Sequence, residues 1–344
     1  MNNFSISEFD YYLPLNQIAY EPLLKRDNSK LMYLDTASTT FKDKKFSDIT
    51  DFIKKGDLVI LNNTKVIPGR MFLRKETGGR VEILFHKLIS SNSFEAIFTS
   101  SKPLKLNSKL FYDDKNYFTI KSINKNYMTL CQELDKSVMN IFKNIGIIPL
   151  PKYIKRMTSS TDKERYQTIY AREEGSVAAP TAGLHFTQEI INKLISKGVN
   201  IEYLTLHITY NTFKPITKSN YTQHDIGREF FMINKPLLNS INMTKKKGNR
   251  VIAIGTTVVR AIEYCFSKNI SDAFNGYVDL FIYPGYKFKI IDSLLTNFHL
   301  PKSSLLLLVC AFAGKNRVLS AYNDAVFKNY RFYSYGDCMF INKS

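Results

Sequence analysis

The sequence is short of several things, and each shortage excludes a class of protein. Its 344 residues hold only four cysteines, Cys131, Cys265, Cys310 and Cys338. They are far apart and form no CxxC pair, which argues against a zinc ribbon or a disulfide framework and suits a reducing compartment. No apolar run approaches the roughly 20 residues that cross a bilayer, and the longest spans 305–313. Residues 1–5 carry no basic-then-apolar leader, so a cytoplasmic protein is expected. There is no GxGxxG, no phosphate-binding GxxxxGK loop and no HExxH, so a dinucleotide fold, an ordinary methyltransferase and a zinc protease lack support. The five histidines, His86, His185, His207, His224 and His299, are not at metal spacing, and no metal is expected. Acidic residues are also in deficit: 30 Asp and Glu against 48 Lys and Arg give +18. Such an excess fits a polyanionic partner, nucleic acid first. It fits equally well lysine raised by an AT-biased genome and left on solvated faces.

What is present changes period along the chain. Residues 31–34 and 58–61 read as strands. From about residue 70, short strand-like runs follow one another at 81–85, 94–98, 109–112, 117–120 and 127–130. Turns at Gly78-Gly79, Asp113-Asp114 and Asn124-Lys125-Asn126 separate them. That spacing predicts a small antiparallel barrel or sandwich. Beyond Pro149-Leu150-Pro151 strands alternate with helices. Thr187 caps a helix carrying Ile190, Ile191, Leu194 and Ile195, and Gly198 follows its end. Strands are expected at 201–208, 251–254 and 278–283. A helix with Val258, Val259, Ile262 and Phe266 follows Gly255. Ser303 caps an apolar helix over 305–312, ended by Gly314, and a last amphipathic helix carries Val318, Leu319, Tyr322, Ala325 and Val326. The pattern predicts a parallel or mixed sheet with helices on its faces. The expected fold is α/β: a larger α/β domain over 1–66 and 151–344, with a small antiparallel β-barrel domain inserted over 67–150.

Polar and glycine clusters fall where strands end, which is where open α/β sheets bind ligands. The stretch Ser176 through Thr187 is one, and a helix starts at its end, where backbone N–H groups favour an electron-rich group. The others are Gly255-Thr256-Thr257 with Arg260 one turn on, Tyr283-Pro284-Gly285-Tyr286, Thr296-Asn297-Phe298-His299 and the run Tyr330 to Asp337. Each has a bland explanation. Thr256-Thr257 is an N-cap, His185 or His299 a core histidine, Tyr283 and Phe298 core aromatics. Five such clusters together indicate a pocket offering neutral hydrogen bonds and ring stacking to a nucleoside-sized ligand.

The same residues carry a resemblance. The segments Arg165-Tyr166-Gln167-Thr168-Ile169-Tyr170-Ala171 and Gly175 through Thr187 (GSVAAPTAGLHFT), then Gly255-Thr256-Thr257 with Arg260 and Glu263, occur in order. Phe281-Ile282-Tyr283-Pro284-Gly285-Tyr286, Thr296 through Ser303 and Tyr330 through Asp337 follow. Gly56 through Val59 with Asn62, Thr64 and Arg70, and Thr77-Gly78-Gly79 with Glu82, also fit. The chain resembles the S-adenosylmethionine:tRNA ribosyltransferase-isomerase family of queuosine biosynthesis, from Phe9-Asp10 to its C-terminus. The resemblance implies an α/β domain with an inserted barrel. It implies transfer of the ribosyl part of S-adenosylmethionine to 7-aminomethyl-7-deazaguanine at a tRNA wobble position. The ribose is isomerised to an epoxycyclopentane, and adenine and methionine leave. The implied partners are S-adenosylmethionine, consumed as a co-substrate in place of any resident cofactor, and a tRNA anticodon loop. A monomer away from membranes is expected.

Three departures from the family pattern stand out. Thr209 and Asn211 replace glycines, Ile226 and Gly227 replace a methionine and a histidine within 224–229, and Asn63 replaces an aspartate.

The implied chemistry needs a proton acceptor near the sulfonium, stabilisation of the departing adenine and in-line placement of the tRNA base. His185, His299 and His207 are the expected acid/base groups, since imidazole titrates near neutral pH. Asp337 and Asp292 are expected to pair with the sulfonium or orient a histidine. Thr181, Thr256, Thr257 and Asn297 are expected on adenine or ribose, and Tyr283 and Phe298 against a ring or the sulfonium. Arg260 and Arg331 are expected on the methionine carboxylate or a phosphate. Asn62, Thr64, Arg70, Gly183, Gly255 and Gly285 complete the expected substrate site. Phosphate contacts are expected from Lys54, Lys55, Arg70, Arg74, Lys152, Lys155 and Arg156, while Lys245-Lys246-Lys247 reads as a solvated turn. Two other functions remain open on these residues: an RNA-binding module with no adenine release, and a nucleoside-acting transferase or hydrolase that does not need modified tRNA.

Overall fold

The strand Leu58–Asn62 is buried at every position. Leu58 and Ile60 face one core, and Val59 and Leu61 face another. A strand apolar on both sides must be covered on both sides. The computed structural model, which describes residues 4–343 except 39, 134–136, 152, 155 and 210–214, places it in the middle of a mixed sheet. The nine strands run in the order Phe274–Val278, Glu229–Ile233, Asn200–Leu206, Leu58–Asn62, Val251–Ile254, Ser293–Asn297, Cys338–Asn342, Lys30–Asp35, Phe41–Lys45. Asn200–Leu206, Leu58–Asn62, Val251–Ile254 and Ser293–Asn297 are parallel neighbours. Helix Gln188–Ser196 covers one face, and helices Lys235–Lys246, Thr256–Ser267, Ser304–Ala313 and Lys315–Phe327 cover the other. The expected caps are present. Thr187 Oγ1 accepts the Ile190 N–H at 3.3 Å and Ser303 Oγ accepts the Leu306 N–H at 3.2 Å, each worth about 1 kcal/mol.

Six strands, Arg70–Lys75, Arg80–Ser90, Ser93–Ser100, Lys109–Phe111, Tyr117–Asn124 and Tyr127–Cys131, close into an antiparallel barrel. Closure removes the exposed edges that so short a sheet otherwise carries. Helix Val138–Ile145 plugs the interior, its Phe142 ring lying 5.1 Å from Phe94 and 5.4 Å from Phe85. A two-stranded ribbon, Thr64–Val66 against Glu173–Ser176, joins barrel to sheet.

Local signals misplace some ends. The strand expected at 278–283 lies at Phe274–Val278, because its partner begins at Glu229, opposite Val278, and no ladder continues past that pair. The strand expected to reach 208 stops at Leu206. There the Asn62 amide accepts the Leu206 N–H at 3.0 Å and donates to its carbonyl at 2.9 Å, doing for one residue what a neighbouring strand would do. The triple lysine begins inside helix Lys235–Lys246, with Lys247 as its cap. No helix among the described residues is long and apolar enough to cross a membrane, and the one apolar pair bends by 116°.

Candidate active site

The four parallel strands end at one edge, and the chain leaving that edge carries most of the expected residues: Asn62 to Thr64, His207, Gly255 to Thr257, and Asn297 to His299. Cys338 pairs with Asn297, which brings Asp337 to the same edge. Asp292 lies at the opposite edge. It accepts the Val251 N–H at 2.8 Å and pairs with Lys245 at 2.6 Å, so it does not approach a sulfonium at this site. Lys54 is at that far edge too, its N–H bonded to Asp57 at 2.7 Å, and Lys55 follows it.

Thr181, Gly255, Thr256, Thr257, Thr296 and His299 surround a cavity of about 30 Å³. A second, of about 20 Å³, adjoins it and is lined by Thr181, Asn297, His299 and Ser334. Such volumes seat about one water each. Thr181 stands in the tight turn Thr181–His185. That turn needs Gly183, since a Cβ there would come within 2.0 Å of Tyr170 Oη. His299 Nε2 lies 2.8 Å from Thr296 Oγ1, and burial pushes its pKa down to about 3. Asn297 Oδ1 is buried with no partner among the described residues.

Several expected roles are corrected by packing. His185 has both ring nitrogens held, Nδ1 2.8 Å from Ser29 Oγ and Nε2 3.3 Å from Asn297 Nδ2. Burial pushes its pKa down to about 3. It is a fixed neutral ring that positions Asn297, and it is not free to shuttle protons. Asp337 accepts the Lys30 and Arg331 N–H groups, each at 2.8 Å, and lines none of these cavities. It closes a loop, and burial raises its pKa. Phe298 offers no face to a ligand, because Tyr322, Tyr330 and Phe332 surround it at 5.1, 5.4 and 5.1 Å. Tyr283 packs on Tyr221 and Phe281 at 5.5 and 5.3 Å, with Gly285 in the turn after it. Arg260 is 1% exposed and paired with Glu229, so it does not reach a substrate carboxylate. The Asn62 amide is consumed by Leu206 and the Thr64 N–H. Arg70 pairs with Glu82 at 3.2 Å and holds the Leu150 carbonyl at 3.1 Å. Arg331 donates to the Glu21 carbonyl. Arg74 pairs with Asp114 and Arg156 with Asp162, while Lys152 and Lys155 lie outside the described residues.

A cleft opens between barrel and sheet that no local motif marks. It measures about 460 Å³, with Phe85, His86, Leu88 and Met139 on the barrel side and Gly175, His207, Thr209, Phe230 and Tyr277 on the sheet side. This volume suits a nucleoside-sized ligand. Ile208 lines both this cleft and the threonine cavity, so the two adjoin. His207 is the one expected histidine that faces the cleft. Its Nδ1 lies 2.8 Å from Thr64 Oγ1, and its ring is nearly parallel to Phe230 at 6.0 Å. Burial pushes its pKa down to about 4. Its Nε2 has no partner among the described residues. Gly175 makes this possible, since a Cβ there would come 2.7 Å from that nitrogen. Among the described residues no three His, Cys, Asp or Glu groups gather as metal ligands do.

The profile of a family described as Queuosine biosynthesis protein matches residues 6–341. This chain belongs to that family. The S-adenosylmethionine:tRNA ribosyltransferase-isomerase of Buchnera aphidicola is 44% identical, covering 98% of this chain and 96% of the relative. That of Sulfurihydrogenibium is also 44% identical, over 98% of this chain and 99% of its own. A crystal structure of S-adenosylmethionine tRNA ribosyltransferase from Thermotoga maritima is 32% identical with a TM-score of 0.58, covering 97% of this chain and all of that one.

In this queuosine-family chain one of the departures lines the cleft. Thr209 lines it, and its N–H donates to Glu229 Oε1 at 3.2 Å. That carboxylate is also the partner of Arg260, so the rim is tied to a buried ion pair. Asn63 accepts the Thr205 hydroxyl at 2.6 Å, a neutral bond where a carboxylate was expected. Gly227 turns the chain with its N–H on Asp225 at 2.9 Å, next to Ile226. Asn211 lies outside the described residues.

Proposed function

We propose that this chain transfers the ribosyl part of S-adenosylmethionine to 7-aminomethyl-7-deazaguanine at the wobble position of a tRNA. It isomerises the ribose to an epoxycyclopentane and releases adenine and methionine. One observation carries the reading: relatives of that named activity are 44% identical across 98% of the chain. S-adenosylmethionine is a consumed co-substrate, not a resident cofactor. The barrel–sheet cleft supports the reading by its size, and by the pairing of aromatic faces with an available imidazole.

The roles follow from the geometry. A base in an anticodon loop can be splayed out of its stack. Phe230 and Tyr277 give it a surface to stack on. His207 is the proton acceptor. In the tautomer whose Nδ1–H donates to Thr64 Oγ1, its Nε2 lone pair is presented to the cleft, and burial keeps the ring neutral at pH 7. Thr181, Thr256 and Thr257 supply hydroxyl donors on the far side of Ile208. Such donors stabilise the negative charge that develops on departing adenine. The orphaned Asn297 Oδ1 adds an acceptor for an amino group or a ribose hydroxyl.

The test incubates the protein with S-adenosylmethionine and tRNA bearing the aminomethyl precursor, followed by mass spectrometry of the digested nucleosides. Unmodified tRNA is the control. Epoxyqueuosine with equimolar adenine is expected only with precursor tRNA. RNA binding without adenine release would make the protein a binding module. Adenine release with unmodified tRNA would make it a different nucleoside-acting enzyme.

A further inference from the structure

Several arginines in this molecule close on carboxylates. Arg260 meets Glu229, Arg250 meets Asp57, Arg156 meets Asp162 and Arg70 meets Glu82. One group does not. Arg26 donates to the carbonyls of Leu184 and Glu164, both at 3.1 Å. Arg165 donates to the carbonyls of Leu23 and Leu24 at 2.7 and 3.1 Å. Arg331 donates to the carbonyl of Glu21. Among the described residues no carboxylate forms an ion pair with any of the three. Arg165 Nε and Arg331 Nη1 are buried and bonded to nothing among those residues. Arg26 and Arg165 line one small cavity of about 20 Å³ together with Ser29, His185 and Ser334. Arg26 and Arg165 repel each other, and Arg26 and Arg331 both act on His185.

Carbonyl dipoles hold these half-buried side chains in place. Glu164 and Asp337 act on Arg26 and Arg331 without forming an ion pair, and two buried donors remain unmet. A fork of guanidinium N–H groups matches paired anionic oxygens. We propose that Arg26, Arg165 and Arg331 form an oxyanion site beside His185, whose small cavity admits one oxygen of a phosphodiester of bound RNA or of a carboxylate of the small substrate. The site abuts the reaction region. Ser334 lines both this cavity and the one holding Thr181, Asn297 and His299. His185, whose Nε2 touches Asn297, forms the wall between them. An oxyanion seated there is placed against the group that fixes Asn297. The inference rests on the proposed reaction only for which substrates carry the oxyanion.

The test uses the full chain with Arg26→Gln and Arg26→Lys. Affinity for precursor tRNA is measured across a salt series, and KM for S-adenosylmethionine is measured in turnover. If the site holds a phosphodiester, Arg26→Gln weakens tRNA binding about tenfold and lowers the slope of log affinity against log salt by about 0.7 to 0.9. Arg26→Lys, which keeps the charge, restores the slope, and KM for S-adenosylmethionine does not move. If the site holds the methionine carboxylate, KM for S-adenosylmethionine rises about tenfold and the tRNA slope stays. A folded Arg26→Gln protein with slope and KM both unchanged overturns the proposal and leaves the arginines as clamps on the 21–24 segment. Arg331→Gln carries the same test if Arg26→Gln does not fold. A wild-type protein without turnover overturns the proposed reaction, while the salt slope of its variants still reads the phosphodiester site.

Discussion

Two cavities meet at Ile208 and are built on opposite plans. On one side, Thr181, Thr256, Thr257 and His299 crowd a space of about 30 Å³, with His299 and its neighbour His185 tied to partners within the fold. On the other, aromatic and aliphatic side chains from two separate folding units leave about 460 Å³ open. The first is made by loops leaving one sheet edge, each fixed by its own strand. The second exists only because a barrel docks beside that edge. The tight site, where only Asn297 Oδ1 is left unmet, answers mutation through fold and function together, and the open one answers through function. The three histidines make the same contrast: His185 is held at both ring nitrogens, His299 is held through Nε2 at the tight cavity, and His207 faces the open cleft.

The hardest blow to this division falls under the cleft's rim. Arg260→Met leaves Glu229 buried without its cation and is expected to cost about 3–5 kcal/mol of stability, read by urea unfolding. A loss below about 1 kcal/mol means the pair is solvated and the rim is not anchored there. Next, Phe230→Ala removes the stacking face. It is expected to raise KM for precursor tRNA by tenfold to a hundredfold, from about 1–3 kcal/mol of base stacking, with the melting temperature changed far less than in Arg260→Met. An unchanged KM places the base elsewhere.

Gly183→Ala probes the tight side. The new Cβ meets Tyr170 Oη at 2.0 Å, and an overpacking cost of about 1–3 kcal/mol is expected. Tyr170→Phe in the same chain deletes that oxygen, so the double variant should recover part of the loss in thermal unfolding. No recovery means the turn, not the hydroxyl, is the obstacle. The last probe is acid. His185 and His299 have folded pKa values near 3 against an ordinary 6.5. The unfolded chain therefore binds more protons below pH 6.5. Stability is fully present above that value and drains as pH falls from it toward 3, by up to about 1.4 kcal/mol per pH unit for each histidine. Urea unfolding at pH 7 and pH 5 should show this drop, and His185→Gln should lessen its slope. A flat response means the rings are solvated.

The barrel was legible strand by strand because alternation and turn chemistry are local. Arg70–Lys75, the strand that completes the six, was harder to see, because Phe72 stands on its exposed face and breaks the polar alternation. Thr187 and Ser303 were legible as caps for the same local reason. Phe298 and Asp337 were misread because their motifs mark the right edge of the sheet, while burial decides which side chains at that edge touch a ligand. Phe230 and Tyr277 carried no signal at all, being single residues in ordinary strands.

By itself the sequence determined the two kinds of architecture, their order along the chain and the family. Those properties follow from period, capping and contiguous motifs, all written within a few residues of one another. Only the tertiary structure decided where the barrel–sheet cleft lies, which histidine faces it and which arginines lack an ion pair. Each of these depends on distances between segments far apart in the chain, and on which polar groups the packed core leaves without a partner.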